Sequence, residues 1–280
     1  MGEPMKFRKI IVDVPLYAGL IILSVFMLLP FVWMISTSFK PPDEIFSIPP
    51  ILISRNMTLD GYRWVIVEEG ALRSLINTII VAASSTALSL FFCTLGGYGF
   101  AKFRFPGRKM LFSFLLATMI IPNAVMIVPM FVMMTRMGWY DTFLPLILPS
   151  AANAFGIFFM RQYITNISSE IIDAARIDGA GEFGIFWRVI VPICSPGLVT
   201  LGLIFFMTSW NNYLMPSIYL RSRELHTLPL LQMQMTGPSG YWMYREWMAL
   251  ATISIVPLLI IFLLFQRRFV EGITAGATTG

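Results

Sequence analysis

Residues 75–101 read LINTIIVAASSTALSLFFCTLGGYGFA and contain no Asp, Glu, Lys or Arg. A helix needs about 20 apolar residues to cross the ~30 Å hydrocarbon layer of a membrane. Residues 14–39 and 247–266 form comparable charge-free runs. Over all 280 residues only 12% are charged, against about 25% in a typical soluble domain. A buried soluble helix rarely keeps this length without a polar face, so we expect an integral membrane protein.

The spans are predicted to be α-helices, because a backbone in lipid must satisfy its own hydrogen bonds. The runs also lack the alternation of a membrane β-barrel strand. The predicted fold class is therefore an all-α membrane protein with six transmembrane helices in one domain over residues 1–280. The predicted spans are residues 14–39, 75–101, 110–135, 143–160, 192–220 and 247–266.

The basic residues predict the orientation of these spans. Lys and Arg concentrate in cytoplasmic loops, and 12 of the 20 would be cytoplasmic if the amino terminus were inside. The hairpin AKFRFPGRK, residues 101–109, has four basic residues and no acid. Both termini are then cytoplasmic, with a cytoplasmic loop at 161–191, a tail at 267–280 and outer loops at 40–74 and 221–246. The net charge of +5 reflects this topology and gives no indication of nucleic-acid binding.

Missing motifs exclude several functions. No charged residue lies in the middle of a predicted span, which argues against proton-driven transport and voltage gating. A sodium-coupled carrier that uses unwound helices stays open. The chain has no phosphate-binding loop of the G-x-x-x-x-G-K-[ST] type, so it is not expected to hydrolyse ATP. One histidine, two cysteines in apolar runs and no H-E-x-x-H or G-x-S-x-G pattern argue against a metal site or an intramembrane enzyme.

Uncharged polar residues in or beside the spans are candidates for a translocation path. Asparagine in a membrane bundle commonly holds helices together. The same amides, with an aromatic ring, also suit a hydroxylated, uncharged solute. Both interpretations stay open for this set: Asn77, Asn123, Asn153, Trp210, Asn211 and Asn212.

The cytoplasmic loop contains SSEIIDAARIDGAG, residues 168–181. Ser168 or Ser169 can cap a helix, whose first turn favours acids such as Glu170. A glycine at 179 permits a tight or left-handed turn. A second helix is predicted to follow, with its aromatic side on the bundle: Phe183, Phe186, Trp187 and Ile190. The small, acid-edged side of the pair would stay free, either as a docking surface or as a solvated connector.

Residues 170–198, EIIDAARIDGAGEFGIFWRVIVPICSPGL, resemble the "EAA" loop of ATP-binding-cassette (ABC) importer permeases. Asp173 stands where that family has Glu, which keeps the charge but shortens the side chain by one methylene. The matching positions are Glu170, Ala174, Ala175, Asp178, Gly179, Ala180, Phe186, Pro192 and Pro196.

Four further blocks are similar to carbohydrate-type permeases, specifically the smaller, maltose-permease-like subunit. They are TSFKPPDEIF at 37–46, SLINTIIVAASSTALSL at 74–90, GGYGFAKFRFPGRK at 96–109 and QRRFVEGITAGATTG at 266–280. Thr279 replaces the lysine that this type usually has near its end. The resemblance implies the type I (MetI-like) importer permease fold and a multi-pass place in a bacterial or archaeal cytoplasmic membrane.

The resemblance also implies roles for individual residues. A coupling helix would contact an ATPase through Glu170, Asp173, Ala174, Ala175, Asp178, Gly179 and Ala180, and pack through Phe183, Phe186, Trp187 and Ile190. A tail with Gly272, Gly276 and Gly280 would touch the same ATPase. The last outer loop would reach the solute-binding protein through Gly237, Pro238, Ser239, Gly240, Tyr241 and Trp242.

The implied function is that of a permease subunit of a binding-protein-dependent importer for a sugar, oligosaccharide or sugar-like solute. Its partners would be a second permease in a heterodimer, two copies of a cytoplasmic ABC ATPase, an extracytoplasmic solute-binding protein and membrane lipid, with no nucleic acid. The chain itself would bind no cofactor or metal, since ATP and Mg would belong to the ATPases. The alternatives are an importer for an amino acid or phosphate ester, and a self-sufficient secondary carrier.

Overall fold

The computed structural model describes residues 4–236 and 243–277, with side chains for 15–236, 243–264 and Gln266. This described part of the chain is helical and has no β-strand, which confirms the all-α prediction at that level. Short 3-10 turns at Leu148–Ala151 and Arg223–Leu225 and a π-helical turn at Phe186–Ile190 join some helices. The α-helices are α1 Pro4–Ser38, α2 Pro42–Ile45, α3 Asp60–Val67, α4 Ala71–Lys102, α5 Arg108–Thr118, α6 Asn123–Arg136, α7 Leu144–Ile147, α8 Ala154–Thr165, α9 Ser169–Ile177, α10 Glu182–Ile185, α11 Val191–Ile193, α12 Ser195–Trp210, α13 Leu214–Tyr219, α14 Leu228–Gln234 and α15 Tyr244–Ala277.

Four segments are long and apolar enough to cross a membrane, in the described part of the chain. They are Pro15–Ser38, Ala71–Lys102, Leu144–Thr165 and Tyr244–Leu264. Two further pairs of helices meet that test only when each bent pair is taken together. The six-span count and the cytoplasmic termini therefore stay predictions, as does the single domain.

One bent pair falls inside a predicted span, and the other joins the predicted second helix of the 161–191 loop to the span that follows it. In the 110–135 segment, α5 and α6 meet at 97°, and Pro122 directly precedes α6. At the start of the 192–220 segment, the helix from Glu182 to Ile193 meets α12 at 81°, with Pro196 in the first turn of α12. Proline lacks the N–H that would continue the helical ladder. The 192–220 segment breaks again between Trp210 and Leu214.

The 143–160 segment is likewise composite, made of α7, a 3-10 turn and α8. Pro145 and Pro149 lie in the first turns of the two short helical pieces. Asn153 then caps α8, because its Oδ1 accepts a hydrogen bond from Gly156 N at 2.9 Å. This restart of the helix is stabilised by its cap.

The chain divides into two compact units, of which the first comprises Met1–Gly70 and Met235–Ile255. Thr37, Ser38 and Lys40, at the end of α1 and the start of the following loop, are fully buried. The Lys40 Nζ lies 3.9 Å from the ring centre of Trp33, a cation–π contact. Ser38 Oγ and the Tyr62 hydroxyl are 2.7 Å apart, which ties α3 to the end of α1.

The second unit comprises Ala71–Gln234 and Val256–Gly280, and α4, α8 and α12 form its centre. Helices α4 and α8 approach so closely that a Cβ on Gly97 would lie 2.7 Å from Met160 Cβ and 2.8 Å from Arg161 N. At the next turn a Cβ on Gly156 would lie 2.5 Å from Cys93 Sγ. Small residues at the crossing allow this contact, which is how membrane helices gain packing energy.

Candidate functional site

Helix α9 forms where the sequence predicted the first helix of the cytoplasmic loop. The Ser168 Oγ accepts a hydrogen bond from Glu170 N at 3.2 Å and caps the helix. Glu170 lies in the first turn, where the helix dipole favours a negative charge. Gly179 follows the helix with φ of +82°, a left-handed conformation that glycine adopts without strain. The predicted cap and turn are therefore both present.

One side of α9 is exposed, and we call it the exposed α9 face. It comprises Glu170, Asp173, Ala174, Ile177 and Asp178. These positions lie within two turns on one side of a helix. The face carries three carboxylates around a small centre and a large apolar residue, Ile177, which is 86% exposed.

The opposite side of α9 packs against the hydrophobic core of the second unit, to which the helix belongs. Ile172 is buried, and Ala175 and the following Ala180 pack against the same hydrophobic core. Both alanines were expected on the free side of the helix pair, but in the structure they are half-buried. The sequence analysis gave no role to Ile172 or Ile177, although the 3.6-residue period would have separated these two isoleucines.

The second helix of the loop buries only part of the predicted aromatic side. Phe186 and Ile190 are buried together with Ile185, whereas Phe183 and Trp187 are largely exposed. The π-helical turn at Phe186–Ile190 changes the residue spacing, so the four predicted positions do not share one face. The Trp187 ring nevertheless stacks on Phe91 of α4 at 6.1 Å.

A chain of charged and polar side chains joins the loop to α4. Arg176 NH1 donates to Asp173 Oδ1 at 2.9 Å, and its Nε donates to Glu182 Oε1 at 2.8 Å. The other oxygen of Glu182, Oε2, accepts from the Tyr98 hydroxyl at 2.8 Å. These contacts raise the pKa of the Arg176 guanidinium, mainly through the hydrogen bond to Glu182. Of these four residues only Asp173 was a candidate from the sequence, as a contact to the ATPase, and the cluster itself was not predicted.

Several of the candidate path residues make hydrogen bonds to backbone groups in the second unit. Asn77 Nδ2 donates to the backbone oxygens of Glu224 and His226. Asn211 Nδ2 donates to Met207 O, and Asn212 Oδ1 accepts from Met215 N. The Trp210 ring is buried and stacks on Phe206 at 5.4 Å. Asn123 is exposed at the start of α6. Only Asn77 joins distant segments, as the interpretation that asparagines hold helices together expects, whereas Asn211 and Asn212 bond to nearby backbone groups; a role in the path stays a prediction.

Asn212 also lines a small cavity of about 20 Å³ beside the break after α12. Its lining residues are Thr78, Val81, Leu146, Ser209, Asn212, Pro216 and Thr227. Thr227 is almost fully buried, and its Oγ1 has no hydrogen-bond partner among the described residues. A polar cavity of this size can hold one water molecule. The sequence analysis did not identify the three hydroxyl residues at positions 78, 209 and 227, whose neighbours are distant in the chain.

A larger, apolar groove of about 330 Å³ lies along α4, α12 and α15. It is lined by Thr86, Leu90, Leu198, Val199, Gly202, Leu203, Phe206 and Ile261.

Asp141 joins the turn before α7 to the segment after α13 in the second unit. It has φ of +58°, and its Oδ1 accepts from Arg221 N at 2.8 Å and from Ser222 N at 2.9 Å. Its Oδ2 accepts from the Ser222 hydroxyl at 2.5 Å. These hydrogen bonds, led by the one from the Ser222 hydroxyl, lower the pKa of Asp141.

Some predicted positions lie outside the described residues. These are the loop residues 237–242 and Gly280. Gly272 and Gly276 lie within α15. Within the described residues no group of three or more His, Cys, Asp or Glu side chains could hold a metal ion.

Residues 93–274 match the protein family described as "Binding-protein-dependent transport system inner membrane component". The chain is 32% identical over 265 residues to the arabinooligosaccharides transport system permease protein AraQ of Halalkalibacterium halodurans, covering 94% of this chain and 95% of the relative. It is 33% identical over 262 residues to AraQ of Bacillus subtilis, covering 92% of each chain.

A solved structure is also similar to this chain. It is the crystal structure of a bacterial ABC transporter involved in the import of the acidic polysaccharide alginate, with a TM-score of 0.82 and 25% identity. The similarity covers 94% of this chain and 98% of that one. Because the family match covers more than half of the chain, the family predicted from the sequence is confirmed.

Proposed function

Because this chain belongs to the family of inner membrane components of binding-protein-dependent transport systems, we propose that it forms half of the solute pathway of an ATP-driven oligosaccharide importer. Members of this family are membrane components of importers and are not enzymes. Similarity to arabinooligosaccharide permeases over more than nine-tenths of the chain carries the proposal of an oligosaccharide solute. A sugar or sugar-like compound fits uncharged spans whose polar side chains are amides and hydroxyls.

The exposed α9 face is the proposed docking surface for a cytoplasmic ATPase. Its small centre at Ala174 allows close approach, and its carboxylates offer partners for basic groups. The adjoining left-handed turn at Gly179 has open space around it, so another protein could seat beside it. Closure of two such ATPases around ATP and Mg would drive the permease between inward-facing and outward-facing states. This chain would bind no cofactor itself.

The proposed complex contains a second, different permease, two ATPases and an extracytoplasmic solute-binding protein. Six spans with both termini in the cytoplasm place the loop at 161–191 on the ATPase side. The tail at 267–280 is the second proposed ATPase contact, and the loop at 237–242 is the proposed contact with the binding protein.

Ala174→Arg tests the docking surface. A long cation at the centre of the exposed α9 face should weaken ATPase binding more than 10-fold, because its side chain fills the small centre that allows close approach and pairs with the carboxylates offered to the ATPase. ATPase co-purification and ATP-driven uptake into proteoliposomes should both fall. Asn166→Arg, an exposed residue in the same loop but outside this face, is the matched control.

Uptake assays separate the alternatives. The purified importer with its binding protein should accumulate an oligosaccharide only when ATP is supplied inside the proteoliposome. Accumulation of an amino acid or a phosphate ester instead would replace the sugar assignment. Transport by the isolated chain without nucleotide would identify a secondary carrier and refute the proposal.

A further inference from the structure

One carboxylate, that of Glu182, is hydrogen-bonded both to α9 and to α4. Glu182 uses one oxygen to accept from Arg176 on α9 and the other to accept from the Tyr98 hydroxyl on α4, both at 2.8 Å. Arg176 is in turn held by Asp173. An arginine between two carboxylates has a fixed guanidinium plane, since its donors form a rigid fork. The four side chains thus form one continuous connection from the exposed α9 face to α4.

We propose that Arg176, Glu182 and Tyr98 are positioning residues that transmit the movement of α9 to α4 during transport. This inference rests on the proposed function, in which an ATPase moves α9. We call the three residues the coupling bridge.

The backbone between α9 and α10 is poorly suited to transmit force by itself. It contains Gly179 in a left-handed turn and Gly181, and an added Cβ at either would meet nothing within 4 Å. Such a turn can absorb a displacement by rotating its own dihedral angles. The coupling bridge spans this turn, from position 176 to position 182, with directional hydrogen bonds to a charged group.

The apolar contact of α9 does not replace the bridge. Ile172 packs into the core, but apolar contacts are non-directional and allow a helix to slide or rotate. The hydrogen bonds of Glu182 fix both the distance and the angle between α9 and α4.

Tyr98 joins the coupling bridge to a rigid part of the second unit. Its ring is buried and lies 5.2 Å from Phe103 and 6.2 Å from Phe186. It follows Gly97, where α4 and α8 touch at backbone distance. A displacement of Tyr98 therefore moves the closely packed α4 and α8 together, because a packed interior transmits strain.

The exposure of the two charged members of the bridge separates transmission from stability. The Arg176 and Glu182 side chains are 41% and 44% exposed, and exposed ion pairs contribute little to folding. Removing them should leave the protein folded. An effect on transport would then report on the connection itself.

The test uses the complete importer in proteoliposomes, with its binding protein, and compares solute molecules transported per ATP hydrolysed. Tyr98→Phe, which removes only the hydroxyl, and Glu182→Ala should lower this ratio roughly 2- to 30-fold, the range for residues along a coupling network. ATPase co-purification and the apparent melting temperature should stay at wild-type values. Glu182→Gln should retain most of the ratio, because an amide can still accept from Arg176 and donate to Tyr98.

Tyr140→Phe is the matched control for Tyr98→Phe, since the Tyr140 ring packs on Phe131 at 6.0 Å in the same unit, away from the coupling bridge. An unchanged transport ratio in Tyr98→Phe and Glu182→Ala would overturn the inference. A parallel loss of ATPase binding or of melting temperature would also overturn it, by assigning these residues to docking or folding. Failure of the proposed function is distinct, since wild-type protein would then bind no ATPase and show no ATP-driven uptake.

Discussion

At the scale of single residues, a few polar side chains determine how distant segments meet. Thr78 donates to Ser74 O and accepts from Leu228 N at 2.8 Å, so one hydroxyl joins α4 to the start of α14. Asp141 does the same for the loop after α13, with three donors on its carboxylate. Buried or half-buried backbone N–H groups need such acceptors where helices end. These residues therefore fix the ends of helices as effectively as apolar packing fixes their middles.

The lowered pKa of Asp141 predicts a pH-dependent contribution to stability. Its folded pKa lies below the unfolded value of about 3.9, so the contribution is complete above that value and is lost as pH falls through the folded pKa. Asp141→Ala should destabilise the protein at pH 7 by about 1 kcal/mol, the typical cost of losing a side-chain cap. Apparent melting temperatures of wild type and variant from pH 7 to pH 3 would measure the difference.

That difference should stay constant down to about pH 5 and shrink below about pH 4. Asp141→Asn, which cannot ionise, should show no such pH dependence relative to Asp141→Ala. A wild-type advantage that grows as the pH falls would contradict the assignment.

At the scale of elements, breaks and close crossings matter more than helix length. Helix α12 ends at Trp210 and the chain turns before α13, with Asn212 capping the restart. Proline and capping residues allow such breaks in a membrane because neighbouring groups satisfy the freed backbone. In contrast, α4 and α8 are uninterrupted and in close contact, because the glycines at their crossing have no side chain. The second unit thus combines one rigid helix pair with several interrupted helices.

Gly97→Leu tests the α4–α8 crossing. The added side chain would meet Met160 and the backbone of Arg161, and overpacking of this kind costs about 1–3 kcal/mol. The variant should lose melting temperature in detergent. Gly99→Leu, two residues further along the same helix with nothing within 4 Å, should melt close to wild type. Equal effects at both positions would show that the cost arises from the helix backbone and not from the crossing.

At the scale of the whole molecule, charge segregation predicts the topology. The basic hairpin at 101–109 and the loop at 161–191 should lie in the cytoplasm, and the loop at 40–74 outside. The chain is 57% hydrophobic with a net charge of +5, and most of its basic residues lie in the segments predicted to be cytoplasmic. ATP-driven coupling requires this arrangement, since a docking surface outside the cell could not meet an ATPase.

Cysteine labelling tests this orientation with little background, because both native cysteines, at positions 93 and 194, are buried. Met57→Cys, in the outer loop, should react with a membrane-impermeant maleimide on intact spheroplasts. Thr165→Cys, exposed at the end of α8, should react only after the membrane is opened. Reaction of Thr165→Cys on intact spheroplasts would place the 161–191 loop outside and exclude coupling through α9.

The sequence by itself determined the membrane class, the family and the place of the α9 helix and its glycine turn. The length of the charge-free runs, the Ser168 cap and the turn at Gly179 depend only on residues that are adjacent in the chain. Local physical chemistry is therefore sufficient to predict them. Only the tertiary structure decided that Tyr98 meets Glu182, that Phe183 and Trp187 stay largely exposed, and that two predicted spans bend. Tyr98 and Glu182 are 84 positions apart, and the other features depend on how closely helices pack, so no periodicity along one chain contains that geometry.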